Sequence, residues 1–305
     1  MEHPFFSLST RPDRRILSYS HNDVAVTVTP SVRGRATIFD ADILIYCISQ
    51  LMAALNAGRP VQRTLTLVAH DLLLATGRET SGDSYRRLKE AFERLVGTRI
   101  TTNIVTGDDE VTQGFGLIEA WEIVRKTRKG RMVSVSVTLS DWLYQAVLNR
   151  NVLTLSREYF RMRKPLERRV YEIARKHCGR QRLWRVSLEV LLKKSGSSSP
   201  RRVFRAMVRE IIRADSLPDY RLEEEPGDII VVTPKDAVLE AHEGLSLAPG
   251  TLEAARALAP GADVYALEAE WQHFAASKPA PRDANSAFLG WLRKRLDPDL
   301  PDRGR

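Results

Sequence analysis

The stretches VAHDLLLATG (68–77) and VSLEVLLKKSG (186–196) follow one plan: a strand end, an acidic residue, a Leu-Leu pair and a closing glycine. Eight residues beyond Gly77 stands Tyr85, and eight beyond Gly196 stands Phe204; an arginine follows each, Arg86 and Arg205. A plan that occurs twice, with one spacing to the next apolar anchor, constrains the chain to two units built alike.

The flanking segments keep the same order. DVAVTVTP (23–30) alternates as a strand does. Asp40 is placed to cap a helix to about Asn56, with Ile43, Tyr46, Cys47, Ile48, Leu51, Ala54 and Leu55 on a wide apolar face. TLTLV reads as a strand, and SYRRLKEAFERLVG as a helix with Tyr85, Leu88, Phe92 and Leu95 inward. RITTNIVTG, QGFGLIEAWEIV and RMVSVSVTL read as three β-segments, and SDWLYQAVLN as a closing helix. In the second unit a long helix runs from about Lys164 to Cys178, LWRVS is a strand, SSSP a turn, and YRLEEEPGDIIVVTP a hairpin turning at Pro226-Gly227.

Helix, strand, helix, turn, basic helix, hairpin is the chain order of a winged helix-turn-helix unit. The expected fold is therefore α+β: tandem winged helix-turn-helix domains with a small C-terminal helical module. The boundaries expected are a flexible arm at 1–22, a first domain at 23–150, a second at 151–235, a linker at 236–250 and the module at 251–305. TLEAARALA, DVYALEAEWQHFAAS and ANSAFLGWLRKRL read as the module's short helices, whose core is too small to stand alone.

The helix opened by SPRRVFRAMVREIIR carries arginines at 201, 202, 205, 209 and 213 against Glu210. Ser199 is expected to cap it and Pro200 to take its first position. Phe204, Val208, Ile211 and Ile212 give it one face to bury. A ladder of one sign repels itself unless something anionic meets it. In a winged unit that helix lies in the major groove, where an arginine fork meets guanine O6 and N7 or grips phosphates. The ladder is read as a DNA-reading face.

Charge supports this. The chain carries a net +9, and residues 151–214 alone hold 18 basic and 5 acidic residues. An acidic partner is implied. Cys47 reads as a buried thiol, and His177-Cys178 lacks a second pair to complete a metal site, so no metal is expected. No secretory h-region and no membrane-length apolar run is seen, which points to the cytoplasm. No GxxxxGK[ST] loop, HxH pair, Gly-x-Ser-x-Gly or acidic metal cluster occurs. A non-enzymatic protein without cofactor is expected.

RRLKEAFERLVGTRITTNI, VSVTLSDWLYQAVLN, LTLSREYFRMRKPLERRVYEIARKHCG and FRAMVREII together resemble the plasmid replication initiator protein A family, of the two-winged-helix plasmid initiators. The resemblance runs from about residue 23 to about 235 and is most specific in YFRMRKPLERRVYEIARKHCG. It implies binding to repeated double-stranded sequences in a plasmid origin, opening of adjacent DNA, recruitment of the host replicative helicase, and dimers that repress the protein's own promoter. By position it implies base reading by Arg201, Arg202, Arg205 and Arg209, and phosphate contacts from Arg163, Lys164, Arg168, Arg169 and Lys176. Ser84, Arg86, Arg87 and Lys89 would meet the backbone or a second groove, and the first unit's sheet and first helix would serve dimerisation.

Other readings stand beside these. Arg168 and Arg169 are equally placed to pair with Glu167 and Glu172 at the surface. RKTRKGR (125–131) is a solvated turn or a basic wing, and Trp121, Trp142 and Trp184 read as core. The competing function is a winged-helix transcriptional repressor. An RNA-binding protein is disfavoured because no aromatic sheet platform is apparent.

Overall fold

The computed structural model describes residues 3–21, 24–106, 109–125, 132–179, 181–235, 247–259, 262, 264–276, 281 and 283–296. The first unit runs β1 (Leu17–His21), β2 (Val24–Thr29), α1 (Ala41–Asn56), β3 (Thr64–Val68), α2 (Ala69–Ala75), α3 (Gly82–Gly97), β4 (Arg99–Thr106), β5 (Asp109–Gly116), β6 (Ile118–Arg125), β7 (Met132–Leu139) and α4 (Asp141–Leu148). The second runs from a 3-10 turn at Arg157–Arg161 through α5 (Pro165–His177), β8 (Trp184–Ser187), α6 (Leu188–Ser195), α7 (Arg201–Ala214), β9 (Tyr220–Glu225) and β10 (Ile229–Pro234). Then follow α8 (Pro249–Leu258), α9 (Val264–Ala276) and α10 (Ala284–Leu296). The fold is α+β. Among the described residues no helix is long and apolar enough to cross a membrane.

The doubling seen in the sequence reappears as sheet topology. The three-stranded sheets order as β3-β7-β6 and β8-β10-β9, so in each the first strand pairs with the last and the last with the middle one. All pairings are antiparallel. The first unit adds an insertion: β4 and β5 join β1 and β2 in a four-stranded sheet. The stretch expected as one β-segment, QGFGLIEAWEIV, is thus two strands, because the chain leaves one sheet for the other at buried Leu117. Hydrophobic periodicity fixed the inward faces of both units' helices. Leu88, Phe92 and Leu95 of α3, and Phe204, Val208 and Ile211 of α7, are buried.

Residues 3–21 are packed, which corrects the flexible arm expected there. Phe5, Phe6 and Leu17 lie against the first core and Leu8 against the second, so this segment bridges the two. Its apolar residues follow no helix or strand period, yet burial rewards them all the same. Asp13 within it is held by Arg15 (2.9 Å) and buried Arg35 (3.0 Å). The Arg15 hydrogen bond takes its carboxyl down to about 2. Gly196 closes α6 at φ 68°, and a side chain there would strike Pro4 of the same segment at 2.5 Å.

α5 is wrapped from several sides, its residues from Leu166 to Ala174 being buried. α8 and α9 cover its C-terminal end. Arg256 donates to the carbonyls of Lys176 (3.2 Å) and His177 (3.1 Å), and the Tyr265 hydroxyl lies within reach of those of His177 and Cys178. These are carbonyls a helix end leaves unpaired, and a cation there also suits the helix dipole. Gly179 follows at φ 55°, and the Tyr265 ring lies so close that an added Cβ would sit 2.0 Å from it. Trp271, Phe288 and Leu292 give the last helices a core of their own.

Smaller corrections concern caps and tryptophans. Asp40 stands at the N-cap of α1, but its carboxylate takes Arg94 (2.7 and 2.8 Å) and the Thr37 amide instead of capping. Pro200, not Ser199, is the N-cap of α7. Trp142 is not core: it stacks on Phe115 at 4.5 Å and keeps 39% of its surface open. Trp121 and Trp184 are half-buried, stacked on Phe92 and His177. Cys47 and Cys178 are buried free thiols, both pushed up to about 12 by desolvation. α8 begins at Pro249, inside the expected linker, while 236–246 and residues 126–131 of the basic run lie outside the described residues.

Candidate nucleic-acid interface

α7 owes its exposed face to sequence alone. Its apolar stripe packs inward, which leaves Arg201, Arg202, Arg209 and Arg213 exposed and Arg205 half-buried on the outside. The hairpin β9–β10 lies beside it, and the acids it carries meet the ladder. Asp228 receives Arg201 at 2.7 Å and the Arg205 Nε at 3.0 Å. Glu224 receives both prongs of Arg209, at 2.7 and 2.9 Å. Glu225 does the same for Arg185 of β8, at 3.1 Å twice. The ladder's self-repulsion is therefore relieved from within the chain.

Asp228 is fixed by its backbone as well. It adopts φ 61°, a conformation that Asp and Asn tolerate better than most residues. Its carbonyl accepts the Leu188 amide at 2.8 Å, which ties the hairpin tip to α6. Hydrogen bonds from Arg205 and Arg201 hold the Asp228 carboxyl below the usual range, and Arg209 does the same to Glu224. Arg202 and Arg213 have no carboxylate partner among the described residues. Arg163, exposed ahead of α5, has none either, and Lys164 beside it pairs with Glu210 of α7 at 2.8 Å.

Three expected phosphate contacts are not on this face. Arg168 is 1% exposed; it donates to Asp42 of α1 (2.6 Å) and to the Met162 carbonyl (2.8 Å), and lies over the Phe39 and Tyr159 rings. Burial pushes the Asp42 carboxyl up to about 6, against the pull of Arg168 and Arg78. Arg169 is buried, donating to the Lys194 carbonyl and to Glu172. Lys176 is buried, donating to the Ala262 carbonyl. A guanidinium or ammonium sealed in this way cannot reach a phosphate without unfolding its surroundings. Arg168 instead ties α5 to the first unit, Lys176 ties it to the C-terminal segment, and Arg169 ties it to α6. The surface pairing with Glu167 and Glu172 is corrected too: Arg169 does meet Glu172, but in the interior.

In the first unit α3 presents Arg86, Arg87 and Lys89 to solvent, with Ser84 half-buried at its start. Here the acids are on the same helix. Arg86 pairs with Asp83 and Glu90, Arg87 with Asp83, and Lys89 with Glu93. The sequence reading missed the hairpin carboxylates Glu224 and Asp228, and the EEEPGD run was the available signal. Among the described residues no group of three or more His, Cys, Asp or Glu is placed to hold a metal ion.

Residues 1–222 match the model of a family described as "Replication initiator protein A". This chain belongs to the replication initiator protein A family. The match spans both units through α7 and stops short of Glu224 and Asp228. A relative from Wigglesworthia glossinidia brevipalpis, named "Putative replication protein", is 38% identical over 226 residues, 73% of this chain and 82% of that one. In fold the chain resembles crystal structures of domains 2 and 3 of RctB. The selenomethionine form aligns with a TM-score of 0.56 at 14% identity, over 74% of this chain and 92% of that one. A second structure of domains 2–3 gives 0.52 at 15%, over 76% and 95%. At such identities the likeness speaks for the fold alone.

Proposed function

We propose that this replication initiator is a plasmid origin-binding protein built on two winged helix-turn-helix units, with α7 as the helix that enters the major groove. The observation that carries this is the outward arginine face of α7, set after a short helix and turn and beside a hairpin. Arg201, Arg202, Arg205 and Arg209 supply base and phosphate contacts, with Arg163 and Lys164 flanking them. Ser84, Arg86, Arg87 and Lys89 of α3 steady the first unit on the backbone. Bound to tandem repeats, the protein opens neighbouring DNA and recruits the host helicase in the cytoplasm. As a dimer it represses its own promoter. It works without an ATPase of its own, which the missing phosphate-cradling loop supports.

The test is replication in trans. A plasmid carrying only the origin region should replicate in a permissive host supplied with this protein. Failure to replicate, with promoter repression intact, would identify a dedicated repressor instead. Binding to the origin repeats should also fall steeply with salt, by about three to five decades between 50 and 200 mM if six to ten phosphates are met.

A further inference from the structure

The β9–β10 hairpin is acidic where a wing beside DNA would be expected to be basic. Residues 223–228 hold Glu223, Glu224, Glu225 and Asp228 and no cation. Left free, such a tip would be repelled by the phosphate backbone. It is not free, because Asp228 and Glu224 take both prongs of Arg205 and Arg209 and one of Arg201. α7 therefore carries two kinds of arginine. Arg202 and Arg213 have no carboxylate to give up, whereas the other three must release one before they can bind anything else.

We propose that Asp228 and Glu224 are specificity-determining residues, which hold the α7 arginines in carboxylate forks that only a correctly placed base edge displaces. The inference rests on the reading of α7 as the DNA-contacting helix. Its physical basis is an exchange of anions. A carboxylate and a phosphate offer an arginine fork the same pair of charged oxygens, so moving from one to the other gains little. Guanine O6 and N7 present two acceptors matched to the same fork, in a groove where neighbouring contacts add to the gain. The displaced carboxylate must then meet a donor, and the major groove offers one in the amino group of cytosine or adenine. Sequences that supply neither feature leave Arg201, Arg205 and Arg209 closed. On the α7 face, random DNA is then met by Arg202 and Arg213, with Arg163 beside them.

The α3 helix marks the contrast. Its exposed basic residues Arg86, Arg87 and Lys89 pair with acids three or four positions away on the same helix, an arrangement any solvated helix makes. The α7 partners come from 15 to 27 residues away, on a hairpin anchored by the Asp228 carbonyl to α6. The clasp is a product of the tertiary fold.

The experiment measures two affinities for each variant, with the full chain. Short duplexes tiled across the DNA flanking the protein's own coding sequence supply the specific site, and a random duplex of equal length supplies the reference. The variants are Asp228→Asn, Glu224→Gln and the pair together. Asparagine tolerates the φ of 61° at 228, and Glu224 lies within β9 outside the turn, so both changes spare the backbone. In the double variant, binding to random DNA should rise about tenfold near 0.1 M salt, and its salt slope should steepen by about 1–2 as freed arginines take phosphates. Binding to the specific duplex should rise less, so the ratio between the two falls. Arg202→Ala should instead weaken both affinities alike. A double variant with unchanged or weaker random binding overturns the clasp while leaving origin recognition standing. A wild-type chain that binds all duplexes equally overturns origin recognition, and the clasp with it.

Discussion

The two basic helices of this protein start from one plan and handle charge in opposite ways. On its exposed face α3 carries its own counter-charges: Asp83 serves Arg86 and Arg87, Glu90 serves Arg86 and Glu93 serves Lys89, while Arg94 reaches out to Asp40. α7 has Glu210 as its single acid, and that residue is hydrogen-bonded to Lys164, with Arg213 nearby. Its balance comes instead from Asp228 and Glu224 across a hairpin. The difference teaches that a one-sign ladder in a sequence describes the helix and not its surroundings. Pairs three or four residues apart persist in an isolated helix, whereas pairs made by tertiary approach can be exchanged for an external ligand without cost to the helix itself.

The largest effect is expected where the two units join. Arg168 lies in α5 of the second unit and donates to Asp42 in α1 of the first, both side chains 2% exposed. Arg168→Met leaves a buried carboxylate without its main partner and should cost about 3–5 kcal/mol of stability. Adding Asp42→Asn should recover part of that loss, because no buried charge then remains. The check is denaturant unfolding of both variants, together with the salt slope of DNA binding by the folded fraction. If Arg168→Met leaves stability unchanged and makes the slope shallower, Arg168 meets phosphate and the two units are joined in some other way.

Acid should act unequally on the units. In the second, His177 is buried against Trp184 at 5.0 Å, with its Nε2 unpartnered. Desolvation takes its pKa down to about 2, with Lys194, Arg256, Lys176 and Arg169 pushing the same way. The helix end it occupies would favour a cation, but burial and four neighbouring charges outweigh that. A group whose folded pKa is depressed binds protons first in the unfolded chain. Its contribution is complete above about 6.5 and falls by about 1.4 kcal/mol per pH unit below it, or about 2 kcal/mol by pH 5. Asp42, raised to about 6 by burial, has the opposite sign and offsets part of this between about 6 and 4. Comparing wild type with His177→Phe, which keeps the ring on Trp184, cancels the Asp42 share. The gap between them should shift by about 2 kcal/mol in favour of the variant from pH 7 to 5, read by Trp184 fluorescence during unfolding. A constant gap would show that His177 does not stay neutral in the folded unit.

What could be read in advance follows the reach of each interaction. The inward faces of α3 and α7 were legible because periodicity is local, and the second hairpin because Pro226-Gly227 is a strong turn signal. The doubled topology showed in the spacing from Gly77 to Tyr85 and from Gly196 to Phe204. Arg168, Arg169 and Lys176 misled because a helix with an apolar stripe and a basic stripe looks half-solvated. Its basic stripe is covered by α1, the Lys194 carbonyl and the C-terminal helices, all distant in the chain. Residues 3–21 misled for a related reason: Phe5, Phe6 and Leu8 are apolar without a period, and only two cores already in place give them somewhere to go. The clasp on α7 was hidden because a run such as EEEPGD reads alone as a solvated turn.

The smallest expected effect compares one arginine from each helix. Arg205 keeps 29% of its side chain exposed and is the most sheltered arginine of the clasp, one turn into α7. Removing it takes away a fork that can bind guanine, so Arg205→Ala should cost about 1–3 kcal/mol of specific binding and relax preference at one base pair. Arg86 stands at the matching place in α3 but is shared between Asp83 and Glu90, well exposed and beside acids that remain after it is gone. Its loss frees those acids to repel the backbone, so Arg86→Ala should weaken binding by about threefold at most, equally for every sequence. Binding curves for both variants against a repeat carrying single base-pair changes decide the matter. Equal losses would mean that both helices read DNA alike and that the balance of charges on α3 has no bearing on its role. An Arg205→Ala protein with undiminished discrimination would move base reading away from Arg205, toward Arg201 and Arg202 at the start of the helix.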